Sequence, residues 1–412
     1  MSDKNTDRRF SLSKFAIFVA ISSTAMGQTI VFTILSPISR SIGLTELQIG
    51  LIVTASAIAY TVFSSYWGRL SSVYGRRTIM LLGLIGYSLG TAVFVGVIML
   101  GLDAALTLSA FLISLLFARV FHSFISSATS PAATAYIADH TDAANRTKGM
   151  AIIATGHGVG SIVGPALVYF SFAGLFTPLY IVASLTFLAA ILVYFTLPKK
   201  SEEAQAQTTE QVQGKPFSTD GLSIFKPEIF PFLLIGVVIF SALSTIQICL
   251  SYYLQDALSL TAGETTTKLG LVLFVGACGA LVGQVVFVYR LKLFSETLIK
   301  LGLSLMSAAL LVLLLGSSIQ HFSLGMLFAG LGLGVAVPGF MSRASLSVDK
   351  PYQGWISGWV AACPAAGYII GPLFGSLLYK VHPLLPFGVV LAICLLLLVY
   401  VHLRLSKLKP FT

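Results

Sequence analysis

Long apolar stretches alternate with short polar ones along the whole chain of 412 residues. A helix needs ~20 mostly apolar residues to cross the ~30 Å hydrocarbon layer of a bilayer. The pattern predicts spans at 15–38, 46–68, 78–100, 106–137, 149–171, 178–197, 230–253, 267–289, 297–316, 322–346, 353–379 and 384–403. One segment breaks the rhythm. Pro198 to Glu228 reads PKKSEEAQAQTTEQVQGKPFSTDGLSIFKPE, too polar to bury a core, and is expected to be a cytoplasmic linker. The chain therefore divides into a first six-helix bundle at 1–197, a linker at 198–229 and a second six-helix bundle at 230–412. The expected fold is an all-α membrane protein with twelve transmembrane helices in two pseudo-symmetric bundles.

The first 14 residues are polar and basic, like the start of a signal peptide. The apolar run that follows outlasts a signal core of ~7–15 residues, and further spans come after it, so it reads as a retained first span.

Composition agrees with the pattern. Hydrophobic residues make up 56% and charged residues only 10%, where a soluble chain carries roughly a quarter charged. The net charge is +10, but its distribution argues against nucleic acid as a partner. Of 25 Lys and Arg, Arg40, Lys268 and Lys380 fall outside and Arg119 within a span, which leaves 21 on one side. Arg8, Arg9, Arg76, Arg77, Arg146, Lys148, Lys199, Lys200, Arg404 and Lys407 belong to that side. This is the bias of cytoplasmic loops, and it places both termini in the cytoplasm of a plasma (inner) membrane protein. Cys249, Cys278, Cys363 and Cys394 all lie in spans, act there as small apolar residues, and imply no disulfide.

The halves look duplicated. Gly160-x-x-x-Gly164-Pro165 in span 5 and Gly367-x-x-x-Gly371-Pro372 in span 11 stand 207 residues apart, as do Pro131 and Pro338 (367 − 160 and 338 − 131). Parallel six-span repeats are a transporter architecture.

The loop after span 2 runs Gly68-Arg69-Leu70-Ser71-Ser72-Val73-Tyr74-Gly75-Arg76-Arg77. It resembles the signature loop of the major facilitator superfamily at Gly68, Gly75, Arg76 and Arg77. Ser72 stands where that family usually has an aspartate, which in the family helps latch the halves together. Gly156-x-x-x-Gly160-x-x-x-Gly164-Pro165 puts three glycines on one face, allowing close helix approach, before a bending proline. It resembles the antiporter motif of twelve-span drug/proton exporters. The resemblance extends to the end of span 4 at Asp139, with Arg146 after it, and to Arg119, although His122 and Ser123 replace the glutamine and glycine that usually follow.

Charge in a membrane span is costly and marks function. Arg119, His122, Ser123, Ser126 and Ser130 form a polar stripe expected to face a water-filled cavity. His157 is a second titratable candidate. Gln28, Gln247 and Ser251 offer neutral hydrogen bonds to a ligand. No aspartate or glutamate falls in the middle of a span, so any proton exchange would rest on histidine or on acids at span ends. Glycine-rich Gly156–Gly160 and Gly330–Gly334 lie in spans and follow no strand, and no Walker lysine pattern occurs. No cofactor, metal or enzymatic constellation is implied. The reading is a monomeric secondary transporter that exports a small organic molecule by alternating access in exchange for protons, as in multidrug resistance. A metabolite or carboxylate siderophore exporter, an organic-anion importer or uniporter, and a membrane sensor stay open. A preferred substrate with an anionic group on Arg119 is expected.

Overall fold

The computed structural model describes residues 2–141, 146–198, 225–291, 293–348 and 353–405. Most of the predicted linker, with Lys199 and Lys200, lies outside these residues.

All described secondary structure is helical. The helices are α1 (Ser2–Ser41), α2 (Glu46–Tyr74), α3 (Arg76–Leu102), α4 (Leu108–Ser126), α5 (Thr129–Asp139), α6 (Arg146–Val168) and α7 (Thr177–Thr196). They are followed by α8 (Phe230–Leu258), α9 (Ala262–Gly283), α10 (Ser295–Leu315), α11 (Ile319–Leu346), α12 (Gln353–Val381) and α13 (Leu385–Leu405). Among the described residues, 11 helical stretches are long and apolar enough to cross a membrane, and α6 holds a shorter apolar run, Ile152–Val168. Large apolar side chains such as Phe117 (70% exposed) and Phe195 (78%) cover the outer faces, as lipid-facing surfaces require. The chain is a multi-pass membrane protein.

The fourth span departs from a single helix over 106–137: α4 ends at Ser126 and α5 begins at Thr129. Pro131 explains the break. It has no N–H for the Ser127 carbonyl, and its ring crowds that carbonyl. Around the break the Phe124 carbonyl accepts from Trp67 Nε1 at 2.7 Å and from Ser127 Oγ at 2.8 Å. Pro338, its counterpart by sequence, sits inside an unbroken α11.

Two compact units emerge. One comprises the described residues of Met1–Val31 and Ala55–Gly221; the other comprises those of Phe32–Thr54 and Leu222–Thr412. The first unit packs around Ile17, Trp67, Met80, Leu84, Tyr136 and Val193. In the second, the turn from α1 into α2 packs on α12. There Thr54 Oγ1 donates to the Ile369 carbonyl at 3.0 Å, and a Cβ on Gly50 would stand 2.9 Å from the Pro372 carbonyl oxygen.

Candidate functional site

At the α2–α3 turn Gly75 holds φ at +94°, open to glycine without strain. The turn folds Arg76 back on its own loop and across to α5. Its Nε donates to Asp139 Oδ2 at 2.9 Å, and a terminal nitrogen donates to Ser71 Oγ at 2.6 Å and to the Gly68 carbonyl at 3.4 Å. The Arg77 guanidinium lies 4.5 Å from the centre of the Tyr194 ring. Gly68 approaches Pro131, with a built Cβ 3.5 Å from the proline Cβ. Ser72 Oγ donates to the Arg69 carbonyl of its own helix at 2.7 Å, so the neighbouring Ser71 is the serine that receives Arg76.

The glycine motifs become two helix seams of the same kind. In the first unit Gly156, Gly160 and Gly164 all face α1. A Cβ on Gly160 would stand 2.5 Å from the Ser22 carbonyl oxygen, and one on Gly164 would stand 2.7 Å from that of Met26. In the second unit Gly367 and Gly371 face α8, where a Cβ on Gly371 would stand 2.6 Å from the Ser241 carbonyl oxygen. Gly375 extends this seam, meeting Thr245 and Cys249 at 3.0 Å. Only a residue without a side chain permits such approach. Pro165 and Pro372 lie within α6 and α12, next to Gly164 and Gly371.

Arg119, His122, Ser123 and Ser126 are all buried, at 6%, 5%, 4% and 6% exposure. The stripe expected at a water-filled cavity turns Arg119 and His122 toward α3. A terminal Arg119 nitrogen lies 3.1 Å from His122 Nδ1, and His122 Nε2 lies 3.3 Å from Thr91 Oγ1. Guanidinium only donates, so Nδ1 is the acceptor and the ring proton sits on Nε2. Thr91 Oγ1 then donates to the Tyr87 carbonyl at 2.8 Å. The result is a directional chain from Arg119 through His122 and Thr91 into α3. Arg119 Nε has no hydrogen-bond partner, and among the described residues no carboxylate pairs with Arg119. The Phe94 ring centre, 5.8 Å from the guanidinium, offers a π face. Ser126 Oγ bonds back to the Ser123 carbonyl at 3.3 Å.

The remaining candidates do not join that chain. Gln247 accepts from the Tyr368 hydroxyl at 3.2 Å, and Tyr368 packs on Phe32 with ring centres 5.7 Å apart. Gln28 meets the Tyr60 hydroxyl. His157 is half-buried on α6, and Ser251 is fully buried with an unpartnered hydroxyl.

Sequence reading missed the partners. Thr91 and Tyr87 carry no signal as partners of a histidine in a neighbouring helix. It also missed a cluster of Arg40, Glu46, Asp256 and Tyr379. Three of these were visible as isolated charges at helix ends, and that isolation was the one available hint.

A family model for the Major Facilitator Superfamily matches residues 17–363. The chain is 24% identical over 375 residues to multidrug resistance protein 2 of Bacillus subtilis (strain 168), covering 90% of this chain and 88% of that one. It is 26% identical over 383 residues to the class B tetracycline resistance protein of Escherichia coli, covering 90% and 89%. In structure it resembles a bacterial homologue of the human lysosomal transporter Spinster, crystallised in an inward-facing and occupied conformation. The TM-score is 0.71 at 16% identity, over 98% of this chain and 99% of the other. With a family match spanning most of its length, this chain belongs to the Major Facilitator Superfamily and is a membrane transporter.

Proposed function

We propose that this transporter exports a small organic molecule by alternating access, in exchange for protons, from the cytoplasm across a plasma (inner) membrane, with both termini inside. The repeated glycine seam carries the reading. Two helix pairs packed backbone to backbone, each beside a proline, have little side-chain interlocking to resist a small rotation. The resistance proteins at 24% and 26% identity support efflux as its direction. The charge asymmetry of the loops supports the orientation. The test is substrate-dependent proton movement in inverted vesicles across a ligand panel. Counterflow without proton movement would reject exchange, and no counterflow with any ligand would favour a sensor.

Arg119 favours a second reading, in which the substrate is a carboxylate-bearing metabolite or siderophore. Its buried charge has no acidic partner among the described residues, and an uncompensated buried charge is costly. A bound carboxylate would offset that cost through the free Nε and a terminal nitrogen. Reaching it requires movement of the surrounding helices, because Arg119 is 6% exposed. Matched acid and ester ligands, bound to wild type and to Arg119→Gln, decide it. Equal binding of the ester, or a mutant that keeps the acid preference, rejects the anion.

A further inference from the structure

Within the second unit, the turn joining α1 to α2 is fastened by charge. Arg40, near the end of α1, donates from Nε to Glu46 Oε1 at 2.9 Å and pairs with it again at 2.6 Å. Glu46 opens α2, so this pair closes the turn upon itself. The same guanidinium reaches Asp256 on α8, with one contact at 3.1 Å to Oδ2 and a second to Oδ1. Tyr379 of α12 donates to Asp256 Oδ2 at 2.5 Å. The rings of Tyr252 and Tyr379 stand 5.1 and 5.9 Å from the Arg40 guanidinium. Lys380, beside Tyr379, is exposed. Asp256 is thus faced by Arg40 from α1, by Glu46 through Arg40 from α2, and by Tyr379 from α12.

Counting charges exposes an asymmetry. Arg40, Glu46 and Asp256 together carry one net negative charge. If the turn leaves α8 and α12, the Arg40–Glu46 pair leaves with it and is neutral by itself. Asp256 stays behind as an anion with only Tyr379 to serve it. A proton on Asp256 removes that imbalance, because both separated parts are then neutral. It also cancels the ion pair that holds them together, while Tyr379 can still hydrogen-bond to the carboxylic acid. The Asp256 side chain is 42% exposed, so water can deliver the proton.

We propose that Asp256 is a proton-binding site on the outer side of this transporter, and that a proton bound there releases the α1–α2 turn from α8 and α12. The step breaks the Arg40–Asp256 ion pair and forms one carboxyl O–H bond with a proton taken from outside water. It rests on the proton-exchange reading and supplies the carboxylate that the middle of the membrane lacks.

The test uses purified full-length protein in proteoliposomes with the four native cysteines replaced. The reporter is Thr54→Cys, at the seam between the turn and α12. Its rate of labelling by an impermeant maleimide from outside is divided by the rate at Gly263→Cys, an exposed position that corrects for the reagent's own pH dependence. As outside pH falls from ~6 to ~3.5, through the range where a paired carboxylate takes up a proton, the ratio is expected to rise several-fold. In Asp256→Asn it is expected to be high and flat, and in Glu46→Gln still pH-dependent. A wild-type ratio that ignores outside pH overturns the proposal, and so does an Asp256→Asn ratio that follows pH like wild type. Substrate-driven proton movement in the same vesicles is scored separately. Its absence in wild type rejects proton exchange, while the labelling ratio still decides the site at Asp256.

Discussion

The two glycine seams arise from the same sequence pattern and are held differently. In the second unit Ser244 Oγ donates to the Gly367 carbonyl at 2.9 Å, and Thr245 Oγ1 donates to the Gly371 carbonyl at 3.1 Å. Hydroxyls of α8 thus bond to the backbone of α12, at the glycines themselves. In the first unit Thr29 Oγ1 bonds back to Met26 within α1 at 2.8 Å, and the buried Ser22 hydroxyl has no partner. Among the described bonds, those of the second seam cross between its helices, and the one at the first stays within α1. Interhelical hydrogen bonds in membranes are worth on the order of 0.6 kcal/mol each, enough to bias a sliding motion without forbidding it. The first half compensates at its loop, where Arg76 ties the α2–α3 turn to Asp139. On these bonds, the α6–α1 seam is expected to move more easily than the α12–α8 seam.

Breaking either seam outright should have the largest effect. Leucine at Gly164 or Gly371 must push apart backbones that stand closer than any Cβ allows, an overpacking of ~1–3 kcal/mol or more. Both variants are expected to reach the membrane and to lose transport, measured as vesicle uptake against protein abundance. Normal transport in an inserted Gly164→Leu variant would reject the seam as a moving part.

Unstitching should cost less. Thr245→Val keeps the shape and loses the bond to Gly371, so thermal unfolding in detergent should show a loss of ~0.6–1 kcal/mol. If the stitch restrains sliding, the same variant should also move substrate faster than wild type.

The loop comes next. Ser72→Asp adds a carboxylate to the basic α2–α3 loop at a half-buried position, worth at most about 1 kcal/mol. It is expected to shift the accessibility of inner and outer thiol probes and to leave substrate choice alone. Unchanged accessibility would show that position 72 holds no latch in this chain.

Ser22→Ala should have the smallest effect. Removing an unpartnered buried hydroxyl is neutral or slightly stabilising. A loss equal to that of Thr245→Val would erase the contrast between the seams.

Hydropathy and glycine spacing by themselves make the helical spans and both seams legible. A span must match a layer of fixed thickness, and a helix face is set by its own period. Pro131 was visible too, but not that it splits the fourth span while Pro338 leaves α11 whole. That difference depends on whether neighbours such as Trp67 take up the freed carbonyls. The sequence marks Asp139 and Arg76 separately, and only the fold pairs them. Arg119 was conspicuous as a buried charge, yet its direction toward Thr91 and Phe94 was set by how α4 rotates against α3. Arg40 and Asp256 lie 216 residues apart. Nothing local to either predicts the other, because an ion pair between helices forms wherever tertiary packing brings two ends together.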